Sequence, residues 1–264
     1  MKSFEDYVKA YSNTAEVNDS VFKEFTRKTD EIGYLKHHRD HVEANKLGFG
    51  DRAFQFMWFL ILNHLGKGDK TINALEIGVF KGQIISLWSL IAKENNININ
   101  INAITPLQGN PVVQNRWFSK IYSFISTKYR KDSEVGNHYD QEDYMTIIQK
   151  FFKVFELDFG RINLIRGFST EEAVLAQTFD MKFDLIYVDG DHSYEGVKAD
   201  IENYSGKLNA GGLLVMDDAS NNIPGAAFWK GHQAVSDACE TIDANVFKNI
   251  LNVGHNRIFQ KIDG

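Results

Sequence analysis

The sequence predicts an α/β fold: a mainly parallel sheet with helices on both faces. Three observations carry this. From about residue 70 onward, short strand signals alternate with helix signals, the pattern of successive βα units. The first strand runs into a glycine-bearing turn that opens a helix, "ALEIGVFKG" at 74–82. The last two apolar runs, in "NVFKNILNVGHNRIFQKI" at 245–262, flank a tight turn at Val253-Gly254-His255-Asn256 and so add an antiparallel pair.

Each element follows from its residue pattern. About the first 50 residues are polar and read as helical. Within them His37 and His41 of "KHHRDHVE" stand one helical turn apart, where a solvated helix face is the plainer reading and a ligand role the sharper one. "DRAFQFMWFLILNHL" (51–65) reads as a buried helix, and "GKGD" punctuates the chain after it. "TINALEIG" (71–78) reads as a strand, "QIISLWSLIAKEN" (83–95) as a helix, and "INININAIT" (97–105) alternates as a strand does. "RINLIRG" (161–167) is a short strand. "TEEAVLAQTF" (170–179) is a helix with Ser169 or Thr170 as N-cap. "FDLIYVDG" is the fourth strand, 194–208 its helix, "GGLLVMDD" (211–218) the fifth strand, and "AVSDACETI" a last helix. The 106–158 stretch is too long for a plain connection and reads as a helical lid insertion. The chain thus divides into an N-terminal helical segment or cap (1–65) and a catalytic domain (66–264).

Composition narrows the function. With 264 residues, 43 % hydrophobic and 24 % charged, the chain is long enough for one large globular domain with elaborations. A net charge of −6 speaks against a nucleic-acid binder. Cys239 is the sole cysteine, which excludes an internal disulfide and points to a reducing, cytoplasmic setting. The first residues lack the uninterrupted apolar core of a signal peptide, and "AFQFMWFLIL" is far shorter than the roughly 20 residues that span a bilayer. Neither nucleic acid nor a membrane is an expected partner. A homo-oligomer is left open.

Two stretches carry chemistry. The first strand ends as Glu76-x-Gly78-x-x-x-Gly82, which allows close approach of a ligand to the backbone at a helix start but matches neither the G-x-G-x-x-G nor the Gly-Lys-Ser/Thr phosphate pattern. The second, "YVDGDHSYEG" (187–196), crowds Asp189, Asp191, His192 and Glu195 at a strand end, and "MDD" closes the fifth strand with Asp217 and Asp218. Plainer readings exist for all of these: a tight turn without ligand for the glycines, turn and N-cap roles for the acids.

With "LEIGVFKG", "DLIYVDGDHSYEGVKADI", "LNAGGLLVMDD" and "FWKGHQAV", residues 70–262 or so resemble class I S-adenosylmethionine-dependent methyltransferases. Within them the likeness is to the metal-dependent branch that methylates hydroxyls of macrolide sugars, related at a distance to catechol O-methyltransferase. The resemblance implies a Rossmann-like seven-stranded sheet of order 3-2-1-4-5-7-6 with strand 7 antiparallel. It implies that Glu76, Gly78, Phe80 and Gly82 line the methionine side of S-adenosylmethionine, that Gly167, Phe168 and Ser169 lie near the adenine, and that Asp189 and Gly190 border the same crevice. The family usually carries an acid for the ribose at the end of strand two; Thr105 stands there in this chain. The positions matching Asp189, Asp217 and Asp218 hold the metal in that branch, and the one matching His192, beside Asp189, is a candidate general base. Oxygen-only ligands favour magnesium, calcium or manganese over zinc. Trp117, Phe118 and Tyr122 of the insertion are candidates for an acceptor pocket. The implied activity is O-methylation of a sugar-containing or polyhydroxylated small molecule. The alternatives are an inactive cofactor-binding module of the same fold and a metal-dependent hydrolase.

Overall fold

A computed structural model describes residues 1–109, 142–225 and 231–262. The chain opens with four helices, α1 (Phe4–Ala10), α2 (Ala15–Glu31), α3 (Gly33–Asn45) and α4 (Ala53–Leu65). Ser3 and Asp6 form a reciprocal capping box at the start of α1, and the Thr14 side chain caps α2 through the Val17 amide. α4 is apolar nearly all round because it is covered all round: it packs on α1, α2 and α3, and on α5 (Gln83–Asn95) and β6 (Phe247–Val253).

The remaining strands are β1 (Ile72–Ile77), β2 (Ile99–Thr105), β3 (Ile162–Arg166), β4 (Phe183–Val188), β5 (Leu208–Met216) and β7 (Asn256–Lys261). They form one seven-stranded sheet of order β3-β2-β1-β4-β5-β7-β6. β1 to β5 pair in parallel, and β7 runs antiparallel to both β5 and β6. The expected Rossmann-like topology is present in full. Helix α6 (Tyr144–Val154) precedes β3, α7 (Glu172–Gln177) follows it, α8 (Tyr194–Tyr204) follows β4, and α9 (Gln233–Cys239) follows β5.

Both faces of the sheet are buried, and strand alternation assigns each residue to one of two cores. Ala74, Leu185, Tyr187, Leu213 and Val215 face the α4 and α5 side. Leu75, Ile77, Ile186, Val188, Leu214 and Met216 face the α8 and α9 side. The N-terminal helices share the first of these cores with the strands, so Phe25, Phe56, Trp58 and Trp88 are buried together with the sheet residues.

Three expectations are corrected. The α3 histidines are only in part a solvated face: His37 is exposed and His41 half-buried, but all three pack on aromatic rings. His38 is fully buried, stacks on Phe151 at 5.1 Å and lies 3.0 Å from the Ser86 hydroxyl, while His37 and His41 meet Phe155 at 5.3 and 5.4 Å. Burial pushes the His38 imidazole down to about 3, so it is a neutral packing group. The helix after β3 is shorter than expected, and neither Ser169 nor Thr170 caps it; Glu171 takes the cap position without a side-chain bond. Ser169 is engaged elsewhere, its hydroxyl with Asp200 and its carbonyl with the Tyr204 hydroxyl at 2.7 Å. Asp217 and Asp218 lie just beyond β5, in a turn. Of the expected lid insertion, α6 is described; Trp117, Phe118 and Tyr122 lie outside the described residues. Among the described residues no helix is long and apolar enough to cross a membrane.

Candidate active site

The carboxyl ends of the parallel strands are tied to one another by backbone bonds that continue past the ladders. The Gly167 amide donates to the Thr105 carbonyl at 3.0 Å and the Gly78 amide to the Ile104 carbonyl at 3.0 Å. The Asp189 amide donates to the Ile77 carbonyl at 2.9 Å, and the Asp217 amide to the Val188 carbonyl at 3.1 Å. Residues far apart in sequence are thereby held along one sheet edge, the usual ligand edge of an open α/β sheet. At Gly78 the requirement for glycine is strict. Its φ is +101°, and a Cβ would lie 2.0 Å from the Asp189 carbonyl oxygen. The glycine lets the β1 loop press against the β4 loop as well as opening the edge to a ligand.

Asp217 and Asp218 lie at ligand spacing with His255, and Asp218 with His192 and His232; Asp189 neighbours Asp217 and His192 without belonging to either group. Burial first, then the charges of Asp189 and Asp218, push the Asp217 carboxyl well above the usual range. Its Oδ1 is buried and receives no hydrogen bond. The buried Tyr187 hydroxyl donates to Asp189 Oδ2 at 3.2 Å. Burial and the surrounding acids push that phenol well above its ordinary value, so it serves as a neutral donor.

His192 joins this group, with Nε2 3.5 Å from Asp218 Oδ2 and 3.8 Å from Asp189 Oδ1. Burial depresses the imidazole, but the neighbouring carboxylates of Asp189, Asp218 and Asp191 outweigh it and raise the pKa. Asp191 does not enter the cluster: its Oδ1 accepts the Ser193 amide at 2.8 Å at the start of α8, where Ser193 is the N-cap.

Two further histidines arrive that sequence reasoning missed. His232 stacks on His192 with ring centres 4.7 Å apart and places Nε2 3.6 Å from Asp218 Oδ2; its amide bonds the Asp218 carbonyl at 2.9 Å. Burial and the neighbouring His192 charge lower its pKa. His255, in the β6–β7 turn, places Nε2 3.4 Å from Asp217 Oδ1 and 3.8 Å from Asp218 Oδ1. His232 lies within the resembling segment "FWKGHQAV" (228–235), so a signal was present. A hairpin-turn histidine such as His255 carries none, because turns are ordinarily exposed.

On the cofactor side, Glu76 is buried with Oε2 unpartnered, and burial together with the Asp189 charge holds its carboxyl well above the usual range. Phe168 is an exposed aromatic (55 %) on the loop after β3, beside Gly167 and Ser169. Phe80 packs edge-on against Tyr144 at 5.1 Å and lies 5.5 Å from Phe49, so it ties the glycine loop to α6 and the N-terminal segment. Gly82, at φ +84°, starts α5 with Ile148 side-chain atoms 3.0 Å from where its Cβ would be. Thr105 does end β2, but it does not offer a free hydroxyl to a ribose. It is 1 % exposed, donates to the Val79 carbonyl at 2.8 Å and accepts the Leu107 amide at 3.0 Å. Its part is to shape the turn after the strand.

Asp200 was also missed. It sits on the buried face of α8 with Val197, Ile201 and Tyr204, an acid in an apolar i, i+3, i+4, i+7 stripe. It contacts Ser169, and its Oδ2 would be 3.8 Å from a Cβ at Gly190, so it underlies two expected cofactor loops. Burial pushes it from 3.8 to about 7. A raised acid disfavours ionisation in the fold, so its contribution is most favourable below the unfolded value and is lost as pH rises toward 7. The full penalty is at most about 4 kcal/mol. Asp200→Asn is therefore expected to raise the melting temperature relative to the parent at pH 8 and not at pH 4. An equal difference at both pH values in thermal denaturation would reject ionisation as the cause.

The profile of a family described as a methyltransferase domain matches residues 75–219, which span the strand edge from the glycine loop to the acidic turn. The chain belongs to this methyltransferase family. It is an S-adenosylmethionine-dependent methyltransferase of class I topology. Solved structures share that fold. The O-methyltransferase NovP superposes with a TM-score of 0.58 at 15 % identity, covering 79 % of each chain. An O-methyltransferase from Bacillus cereus in complex with SAH gives 0.53 at 13 % identity, covering 88 % of this chain and 91 % of that one. CalS11, a TDP-rhamnose 3'-O-methyltransferase of calicheamicin biosynthesis, gives 0.52 at 13 % identity, covering 96 % and 98 %. No curated protein sequence matches the chain.

Proposed function

We propose that this methyltransferase transfers the methyl group to a hydroxyl of a sugar-containing or polyhydroxylated small molecule, with a divalent cation at Asp189, Asp217 and Asp218 and with His192 as the base. The observation that carries the reading is the half-buried carboxylate cluster. Three acids converge at two neighbouring strand ends, and one buried oxygen of Asp217 has no hydrogen-bond partner. Burial first, then repulsion from Asp189 and Asp218, raises the Asp217 carboxyl; a cation would offset that cost, so the residues fit a metal. When bound, such an ion stabilises negative charge developing on an acceptor hydroxyl and fixes its position. His192 stands at the rim of this cluster with Asp189 and Asp218 placed to stabilise its charged form, which suits a group that accepts a proton. Glu76, on the neighbouring strand end, is placed to meet the cationic methionine end of S-adenosylmethionine. A sugar acceptor also agrees with the TDP-rhamnose acceptor of CalS11, which shares the fold.

Chelation tests this directly. Excess EDTA is expected to abolish methyl transfer to a glycoside or catechol acceptor, and added divalent cation to restore it. Cofactor binding by calorimetry should persist throughout, because the proposed ion faces the acceptor. Full turnover in excess chelator would remove the cation from the mechanism.

A further inference from the structure

The β6–β7 turn carries a histidine where a hairpin turn usually carries solvated residues, and the structure goes to some length to hold it. Gly254 is clamped by both ends of the Asn18 amide, at 2.7 and 2.8 Å, and its carbonyl also accepts the Ser220 hydroxyl at 2.6 Å. The His255 carbonyl accepts the Ala219 amide at 2.8 Å, and its ring lies edge-on to Phe54 at 4.6 Å. The result is an imidazole 4 % exposed, locked from α2, α4 and the loop after β5.

Its two nitrogens look in opposite directions at carboxylates. Nε2 faces Asp217 Oδ1 at 3.4 Å and Asp218 Oδ1 at 3.8 Å, and these three atoms come from residues grouped closely enough to share one ion. Two ligand atoms that each sit about 2.1 Å from one ion lie roughly 3–4 Å apart, the spacing seen here. Asp217 Oδ1 receives no hydrogen bond although His255 Nε2 is so near, so the contact is not an ordinary hydrogen-bonded ion pair. On the far side Nδ1 faces Asp51 Oδ2 at 4.0 Å, just ahead of α4. A carboxylate behind a histidine is the usual way a metal-ligating imidazole is oriented and its tautomer chosen.

Building on the cation reading above, we infer that His255 is itself a ligand of that cation, with Asp51 behind its Nδ1, so that the site is a mixed imidazole and carboxylate centre assembled between the sheet edge and the N-terminal helices. This goes beyond a set of acids on two strands. It changes the expected metal, because an imidazole ligand favours borderline ions such as manganese, cobalt or zinc over magnesium. It also gives the N-terminal helices a part in the chemistry, through Asp51. His192 and His232 face the other oxygen of Asp218 and stay available for proton handling.

The test uses the full chain loaded with Mn2+ and pulsed electron paramagnetic resonance, which detects nitrogen bonded to the ion. Bound Mn2+ is expected to show directly coordinated imidazole nitrogen. His255→Gln should still bind Mn2+ through the acids but lose that signal. The double variant His192→Gln/His232→Gln leaves the β6–β7 turn intact and must keep the signal. Asp51→Asn should keep the signal while weakening Mn2+ roughly 10–100-fold by calorimetry. Bound Mn2+ without nitrogen coupling would overturn the inference and leave the carboxylate reading standing, as would coupling that survives in His255→Gln or disappears in the double variant. Failure to bind Mn2+, Co2+, Zn2+ or Mg2+ at all would remove both.

Discussion

His192→Ala is expected to lower turnover by roughly 10²–10⁴-fold at neutral pH, the span a positioned general base contributes. The expectation rests on geometry before charge. The ring nitrogen sits 3.5 and 3.8 Å from two acids of the cluster and is screened from solvent, with a fifth of its side chain exposed. Those acids hold the imidazole pKa above its ordinary 6.5 despite burial, which makes it a stronger base. The working form is neutral, so parent turnover should rise with pH as the imidazole loses its proton, and the alanine variant should lack that limb. The gap between the two should narrow at high pH, where the acceptor hydroxyl ionises without help. Cofactor affinity should hardly move. Near-normal turnover of the variant at pH 7 would strip His192 of the role and leave the cation hypothesis untouched.

Glu76→Gln is expected to weaken S-adenosylmethionine by about 10–150-fold, the worth of a charge-assisted hydrogen bond of roughly 1.5–3 kcal/mol. Glu76 lies on the face of β1 that carries Ala74 and the α4 side of the core, buried and with Oε2 unpartnered. Burial and the Asp189 charge hold it well above the usual carboxylate range, so a cationic ligand must draw off its proton to gain the full interaction. Parent affinity should therefore increase with pH, and the glutamine variant should bind with little pH dependence. The stability effect has the opposite sign. A raised acid is least favourable above its unfolded value of about 4.5, so removing the charge should leave the melting temperature at pH 7 unchanged or higher. A folded Glu76→Gln protein that binds the cofactor as the parent does would place the methionine end elsewhere.

Much of the architecture was legible residue by residue. Period-2 alternation in "INININAIT" and the continuous apolar "FDLIYV" mark β2 and β4, and the Gly78-to-Gly82 turn marks where β1 gives way to α5. Local pattern succeeds there because strand and helix periodicity are short-range properties. It failed at the α3 histidines, where helical spacing was plain but the aromatic partner, Phe151 and Phe155 of α6, stands more than 100 residues away. It failed at Thr105 for a related reason. The position after β2 was right, but only the course of the following turn commits the hydroxyl to Val79 and Leu107.

By itself, then, the sequence determined the α/β fold, the glycine turn, the acidic ends of strands four and five, and His192 beside them, because each is written in a contiguous run. Tertiary structure alone decided what surrounds those acids. His232 before α9 and His255 in the β6–β7 turn reach them from separate parts of the chain, and Asp51 before α4 stands behind His255. The physical reason is that backbone bonds link consecutive strand ends across the sheet, from Asp189 to Ile77, from Asp217 to Val188 and from Ala219 to His255, so residues without any common sequence pattern share one edge. Burial and neighbouring charge on that edge, not residue type alone, then set which carboxyls and imidazoles hold their protons.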